Sequence, residues 1–434
     1  MAIEPVRIAI TGMGIVSPLG DDLETLWANL STGKSGVAPI ELTPTDSLPF
    51  RSGGEARGFD GKIDCYGDLD KKLQRSIKKN MKVMCREIEM GVAASQKALI
   101  HCGLGPDRDA ERCGCLFGCD YILTRPEEFV DGVESCISES GKFDVSDWPN
   151  QGLYKVEPLW LLKYLPNMPN SHVSIYNDFR GPNNSITVRE ASMNLAIAES
   201  SSIIRRGAAD VMIVGATGSR IHPLRMSHMT NIEKLATEKD DPAAMARPFD
   251  AAADGMVLGE GAGALVLESW DHAQARGAKI WGEVIGEGAA MIGPKGDRDF
   301  LRMAVAASIK SAIASAGERL PKQWHLHAQG YSVPEIDKSE SLAIADALAT
   351  FPDVPVACTK SYTGNLGAAS GALELISSVL AMQHGQLFPI RNLDSAADHV
   401  TWQPATSQSA PGTACLHSSF SQQGQAASIV VAAA

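Results

Sequence analysis

No stretch of the 434 residues approaches the roughly 18 consecutive apolar residues of a membrane span, so no spanning segment is expected. Met1 to Thr11 lack the basic, apolar and small-residue succession of a secretory signal. Aromatic residues are scarce, at 6 %. The interior must then be packed from Ala, Val, Ile and Gly, as in layered α/β proteins. Positive charge is not in excess either. The 39 Lys and Arg against 51 Asp and Glu leave a formal net charge of −12, which argues against nucleic acid or an anionic membrane held by bulk charge. Nine cysteines fall in no framework spacing and read as reduced thiols of a cytoplasmic protein. Cys113, Cys115 and Cys119 are spaced like metal ligands, but no nearby histidine or second pair completes a set. Neither metal nor cofactor is expected.

With 44 % hydrophobic and 21 % charged residues the chain is of ordinary globular composition and long enough for two or three domains. Arg7 to Gly12 reads as a buried strand running into a turn-rich loop, Met13 to Gly20. Asp21 or Asp22 caps a helix through Leu23, Leu26, Trp27 and Leu30. A long helix with a dense basic face is predicted over about Asp70 to Leu99, and a short buried strand at Cys115 to Gly118. Residues of about 120–170 form an irregular excursion. Met193 to Ile204 give an apolar helix of the kind covered on every side, and Asp210 to Gly215 a buried strand. Gly255 to Glu268 is a glycine-rich turn feeding a strand, and charged Ser269 to Lys279 makes a boundary. Beyond it the grammar recurs: helix Asp299–Ala316, a strand near His325, helix Lys338–Ala349, strand Val354–Cys358, helix Ala368–Gln383 and terminal strand Ala427–Ala432. Strands alternating with helices in both parts imply a layered α/β fold and suggest an internal repeat.

Five ordered blocks carry a resemblance. Ile10-Thr11-Gly12-Met13-Gly14-Ile15-Val16-Ser17-Pro18-Leu19-Gly20 opens the chain. Arg180-Gly181-Pro182 precedes the segment Thr187 to Ser192. Arg247-Pro248-Phe249-Asp250 with Asp254-Gly255-Met256-Val257-Leu258-Gly259-Glu260-Gly261-Ala262-Gly263 is the most specific. Thr359-Lys360-Ser361-Tyr362-Thr363-Gly364 and Gly367-Ala368-Ala369 complete the set. Together they resemble the elongating, type II β-ketoacyl-acyl-carrier-protein synthases. The resemblance implies a thiolase-like fold, two related α/β halves forming a layered α-β-α-β-α core, here divided as 1–273 and 274–434. It also implies fatty-acid or polyketide metabolism.

The family's reaction needs a cysteine thiolate at a helix N-terminus, two histidines and a lysine; without a thiol no acyl-enzyme forms. Carried onto this chain, the nucleophile position holds Glu190. The histidine positions hold Gln329 and Asn365. The lysine is Lys360, with Glu374 in support. The closing loop with its gate and oxyanion amide becomes Phe420, Ser421 and Gln422. Normal condensation is therefore not expected. Two roles stand open for Glu190. In one its carboxylate replaces the thiolate at the helix end, takes amide hydrogen bonds and pairs with Lys360. In the other it is a general base for thioester hydrolysis, with Gln329 and Asn365 donating to the oxyanion. Decarboxylation of a malonyl group by the same site would bring a substrate carboxylate against an ionised glutamate. Ser192 lies about 200° further round the helix, and Cys358 reads as a buried structural thiol. His327 and His417 fall beside the catalytic motifs.

The family's docking region corresponds to a basic run, Lys71, Lys72, Arg75, Lys78, Lys79 and Lys82, in an otherwise acidic chain. This suits an acyl carrier protein, with Arg205 and Arg206 as an extension. A dimer is implied, with the strand near Asp210–Val214 at the twofold. It is either a homodimer or a heterodimer with an intact ketosynthase, because chain-length factors resemble these synthases and lack the cysteine.

Overall fold

Eleven strands form one continuous sheet in the computed structural model, which describes residues 6–105, 107–294 and 299–434. In chain order they are β1 Ile8–Val16, β2 Cys113–Cys119, β3 Asn183–Ile186, β4 Val211–Ser219, β5 Glu260–Ser269, β6 Gly282–Met291, β7 His325–His327, β8 Pro355–Ala357, β9 Gln403–Pro404, β10 Ala414–Phe420 and β11 Gln425–Ala432. Across the sheet the order is β9-β8-β7-β10-β11-β6-β1-β5-β4-β2-β3. The central pair β1 and β6 is antiparallel. Outward from it one side runs β1, β5, β4, β2, β3 and the other β6, β11, β10, β7, β8. On each side the first two pairings are antiparallel and the next two parallel. Outward from the centre, each half therefore uses its first, last, last-but-one, second and third strand in that order. The repeat suspected from the alternation of elements is a repeat of topology.

The helices that position the site are α1 Leu23–Ser31, α2 Lys71–Asn80, α3 Arg86–Cys102, α4 Ser192–Arg205, α5 Pro223–Ile232, α6 Phe300–Ala316, α7 Pro334–Ala347 and α8 Ser370–His384. Met193, Ala196 and Ile197 of α4 share one inner core with Ala372, Leu373 and Ile376 of α8 and with strands of both halves. Helix α3 covers the first half from outside and α6 the second, each with its own core. These are the five layers of a thiolase-like fold. Burial of α8 on nearly every side explains its small and apolar composition, whereas α4, expected to be covered all round, buries its inner face and leaves a stripe of Leu195, Ala198, Glu199, Ser202 and Arg205 partly or fully exposed. No helix among the described residues is long and apolar enough to cross a membrane.

Three further expectations are corrected. Met13 to Val16 is not a loop: β1 continues to Val16. Its glycines serve close packing, since a Cβ on Gly14 would lie 2.1 Å from the Ala94 carbonyl oxygen of α3. The helix predicted over 70–99 is two helices. Met84 and Cys85 are extended, and Arg86 turns inward to the fully buried Glu260, with Nη2 to Oε1 at 2.6 Å. The strand near Asp210–Val214 is not at an edge. β4 lies between β5 and β2, so its apolar character reflects burial within the sheet, and the outer strand of that half is β3. Residues of the excursion form short helical turns around Phe129, Trp148 and Trp160.

Candidate functional site

Two matching turns meet at the centre of the molecule. A 3₁₀ turn, Arg189–Ala191, leads into α4, and another, Gly367–Ala369, leads into α8. Glu190 sits in the first, fully buried. Ser192, at the start of α4, accepts a hydrogen bond from the Val188 amide at 2.9 Å and takes no part in the cluster around Glu190. Arg189 carries a φ of 50°, a left-handed conformation that costs energy in a non-glycine residue. Gly367 adopts φ 65°, a left-handed conformation that favours glycine.

The partner of Glu190 is Arg220, not Lys360. Arg220 follows β4, is fully buried, and donates from Nη2 to Glu190 Oε1; Asn365 Nδ2 donates to the same oxygen at 3.1 Å. Arg189 Nε lies 3.7 Å from Glu190 Oε2, and its Nη2 pairs with Glu233 at the end of α5. Lys360 is drawn away by Glu374, one turn into α8. Burial pushes the Glu190 carboxyl up, but the Arg220 and Arg189 charges, its own amide and Asn365 more than offset this and bring it to about 2.

Both candidate oxyanion donors are already engaged. Gln329 pairs with the backbone of Phe420 at both ends of its carboxamide: Nε2 donates to the carbonyl at 2.7 Å and Oε1 accepts from the amide at 2.8 Å. Asn365 donates to Glu190 and, at 3.0 Å, to Met256 Sδ, while its Oδ1 accepts from the Gly367 amide at 2.9 Å. The closing loop is fastened as well. Ser421 Oγ donates to Gln425, and Gln422 Nε2 donates to Glu233 Oε2 at 2.6 Å. A continuous chain thus runs from Gln422 through Glu233 and Arg189 to Glu190 and Arg220, with carboxylates and guanidiniums in equal number.

Several residues escaped the sequence reading. Arg220 and Glu233 lie far from Glu190 along the chain, and no local pattern marks them. Asp337 and Glu340 of α7 could have been found from their i, i+3 spacing just after Gln329. Asp337 accepts from the amides of Tyr331 at 2.7 Å and Phe249 at 2.9 Å, and Glu340 from those of Gln329 at 2.7 Å and Gly330 at 2.8 Å. Burial raises Asp337 to about 7; burial and the charge of Asp337 raise Glu340 to about 8.

Cys358 immediately follows β8, donates to the Gln329 carbonyl at 3.3 Å, and has its thiol pushed up by burial. Cys113, Cys115 and Cys119 are buried along β2. Among the described residues no three His, Cys, Asp or Glu side chains converge as a metal-binding group. His327 is buried on β7, bonded to Ser378 and Thr359, and His417 is buried on β10. All five cations of α2 and Lys82 are exposed, on a helix capped by Asp70. Arg205 and Arg206 are taken by Glu287 and Glu199.

Residues 6–273 match the family described as the N-terminal domain of beta-ketoacyl synthase, and residues 295–394 its C-terminal domain. The chain is 33 % identical over 397 residues to a 3-oxoacyl-[acyl-carrier-protein] synthase 2 of Vibrio cholerae, covering 90 % of this chain and 89 % of that protein. It is 31 % identical over 395 residues to a chloroplastic 3-oxoacyl-[acyl-carrier-protein] synthase I of Arabidopsis thaliana, covering 89 % and 77 %. Similar solved structures include the ishigamide ketosynthase/chain length factor, with TM-score 0.81 and 23 % identity over 99 % of this chain and 100 % of that one. Another is a type II PKS acyl-carrier protein in complex with its ketosynthase, with TM-score 0.80 and 24 % identity over 99 % and 100 %.

Proposed function

The chain belongs to the β-ketoacyl synthase family, a ketosynthase-fold protein of fatty-acid or polyketide biosynthesis, and from that membership we propose that it is a non-condensing subunit acting beside an intact ketosynthase. The observation that carries the reading is the ion pair of Glu190 with Arg220 at the nucleophile position. A carboxylate there cannot be acylated and released as a thiolate can. With Gln329 and Asn365 in place of imidazoles, neither of these two positions can take up and return a proton. The general-base alternative fares worse. A carboxylate held near 2 is about five pH units from the neutral range in which a base works best. Both guanidiniums already hold a carboxylate, which leaves an incoming malonyl carboxylate no unpaired counter-charge in this cluster.

The test is the intact mass of malonyl- and acyl-loaded carrier protein before and after incubation with the purified chain. The expected outcome is no loss of either group and no acyl adduct on the chain. Consumption of the malonyl or acyl group that Glu190→Gln abolishes would overturn the proposal in favour of a thioester enzyme.

Two surfaces support partners. Among the described residues the outer edge of β3 has no neighbouring strand in the sheet, and exposed Val145, Tyr154, Leu159 and Leu161 lie on the excursion that packs against it through the Ser185 to Pro166 hydrogen bond. An apolar face of this kind suits a second ketosynthase-fold chain. The ishigamide neighbour is itself described as a ketosynthase with a chain length factor. The exposed cations of α2 suit an acidic carrier protein. Charge reversal at Lys71, Lys72 and Arg75 is expected to weaken carrier-protein binding about tenfold at low salt and less at high salt. Titration calorimetry at two ionic strengths reads this, and unchanged affinity at low salt rejects the docking site.

A further inference from the structure

His417 stands outside the Glu190 cluster, with an oxygen within hydrogen-bond distance of each ring nitrogen. The ring is fully buried on β10. Nδ1 lies 2.8 Å from Asn194 Oδ1 and Nε2 lies 2.8 Å from Glu374 Oε2. Asn194 cannot present its nitrogen instead, because Nδ2 already donates to the carbonyls of Ala427 at 2.8 Å and His417 at 3.2 Å. Rotating the imidazole by 180° would set carbon atoms against both oxygens and lose both bonds. Each ring nitrogen therefore faces an acceptor, and a neutral ring has only one N–H to give. The missing proton is not on Glu374. Its other oxygen pairs with the Lys360 ammonium, and a buried carboxylate in such an ion pair stays ionised.

We infer that His417 is a resident imidazolium and that it and Lys360 clamp Glu374 from both sides, making His417 a positioning residue for the buried Lys360 ammonium. The clamp joins α4, through Asn194, to α8, through Glu374, across the seam between the two halves. His327, with its ring centroid 5.8 Å away, supplies the contrast. Its Nε2 accepts from the Thr359 amide at 3.1 Å, so only Nδ1 carries a proton, which it donates to Ser378. Burial pushes His327 down, in keeping with a neutral ring. The titratable groups facing His417 are Glu374 from α8, His327 from β7 and, through Glu374, Lys360. The inference stands whether or not the chain has lost condensation, because it rests on hydrogen bonds that do not involve Glu190.

Nitrogen-15 NMR of the full chain labelled at histidine tests it at pH 7. His417, assigned by its loss in His417→Asn, is expected to show two protonated ring nitrogens and His327 one. Glu374→Gln is expected to return His417 to a single protonated nitrogen, a change that loss of packing alone would not produce. Should His417→Asn fail to fold, Asn194→Ala identifies the same signals by shifting Nδ1. A bare nitrogen on His417 in the parent protein, or unchanged double protonation in Glu374→Gln, would overturn the inference.

Discussion

Exchange of Glu190 for glutamine is expected to lower the unfolding free energy by about 3–5 kcal/mol, the usual cost of leaving one member of a buried ion pair without its partner. Arg220 is fully buried, and without the carboxylate its guanidinium keeps Met256 Sδ at 3.2 Å as a side-chain partner. Arg189 suffers less, because Glu233 remains. Removing both charges together changes the sign of the argument. Glu190→Gln with Arg220→Met leaves two uncharged side chains of similar size, and a buried pair replaced as a unit is often close to neutral. The double variant should therefore recover most of the loss, with a coupling of about 2 kcal/mol or more between the positions. Urea unfolding of the four proteins at pH 7 measures this. A single variant within about 1 kcal/mol of the parent would remove the structural role assigned to Glu190. A general base would behave in the opposite way, costing turnover while leaving stability nearly untouched.

Arg220 also shows where the sequence stops being informative. The glycine-rich block from Asp254 to Gly263, the lysine motif at Lys360 and the place of Glu190 are local patterns, and each lands where its neighbours in the chain put it. Arg220 reaches Glu190 only because β4 and the turn before α4 converge in space. Its being a buried arginine is invisible in Ser219-Arg220-Ile221. Assigning Lys360 to Glu190 failed for the same reason, since Glu374, fourteen residues on, competes for that ammonium across one turn of α8. Gly14 misled differently. A glycine that lets a helix backbone approach a strand and a glycine that makes a turn read alike, and only the clash with Ala94 and Ala98 of α3 separates them. Helix periodicity carried across Met84 and Cys85 because both sides of the break are good helix; inward pairing of Arg86 with Glu260 decides it. The topological repeat was legible as alternation but not as strand order, which depends on pairings between residues far apart in the chain.

Stability should depend on pH with two limbs of opposite origin. Glu190 has a folded-state value of about 2 against an ordinary 4.5. A depressed carboxyl contributes its stability above the unfolded value, here about 3 kcal/mol, and loses it as pH falls from about 4.5 towards 2. Asp337 and Glu340 act in reverse, at about 7 and about 8 against 3.8 and 4.5. A raised carboxyl contributes fully below its unfolded value, and that contribution drains away as pH rises through the folded value. Between about pH 5 and 7 the folded chain keeps protons on these two groups that the unfolded chain has released. Each such proton lowers the unfolding free energy by about 1.4 kcal/mol per pH unit. On these three groups the parent should therefore be most stable near pH 4, weakening on both sides. Glu190→Gln should flatten the acid limb. Glu340→Gln should flatten the neutral limb by about 1.4 kcal/mol per pH unit, whatever its absolute cost, because the variant has no proton to lose there. Denaturant unfolding at half-unit steps from about pH 2.5 to 8 reads the slopes directly. A parent that gains stability from pH 5 to 7, or a Glu340→Gln slope equal to the parent's, would mean that these carboxyls are already ionised beneath Gln329, held by the four backbone amides they cap.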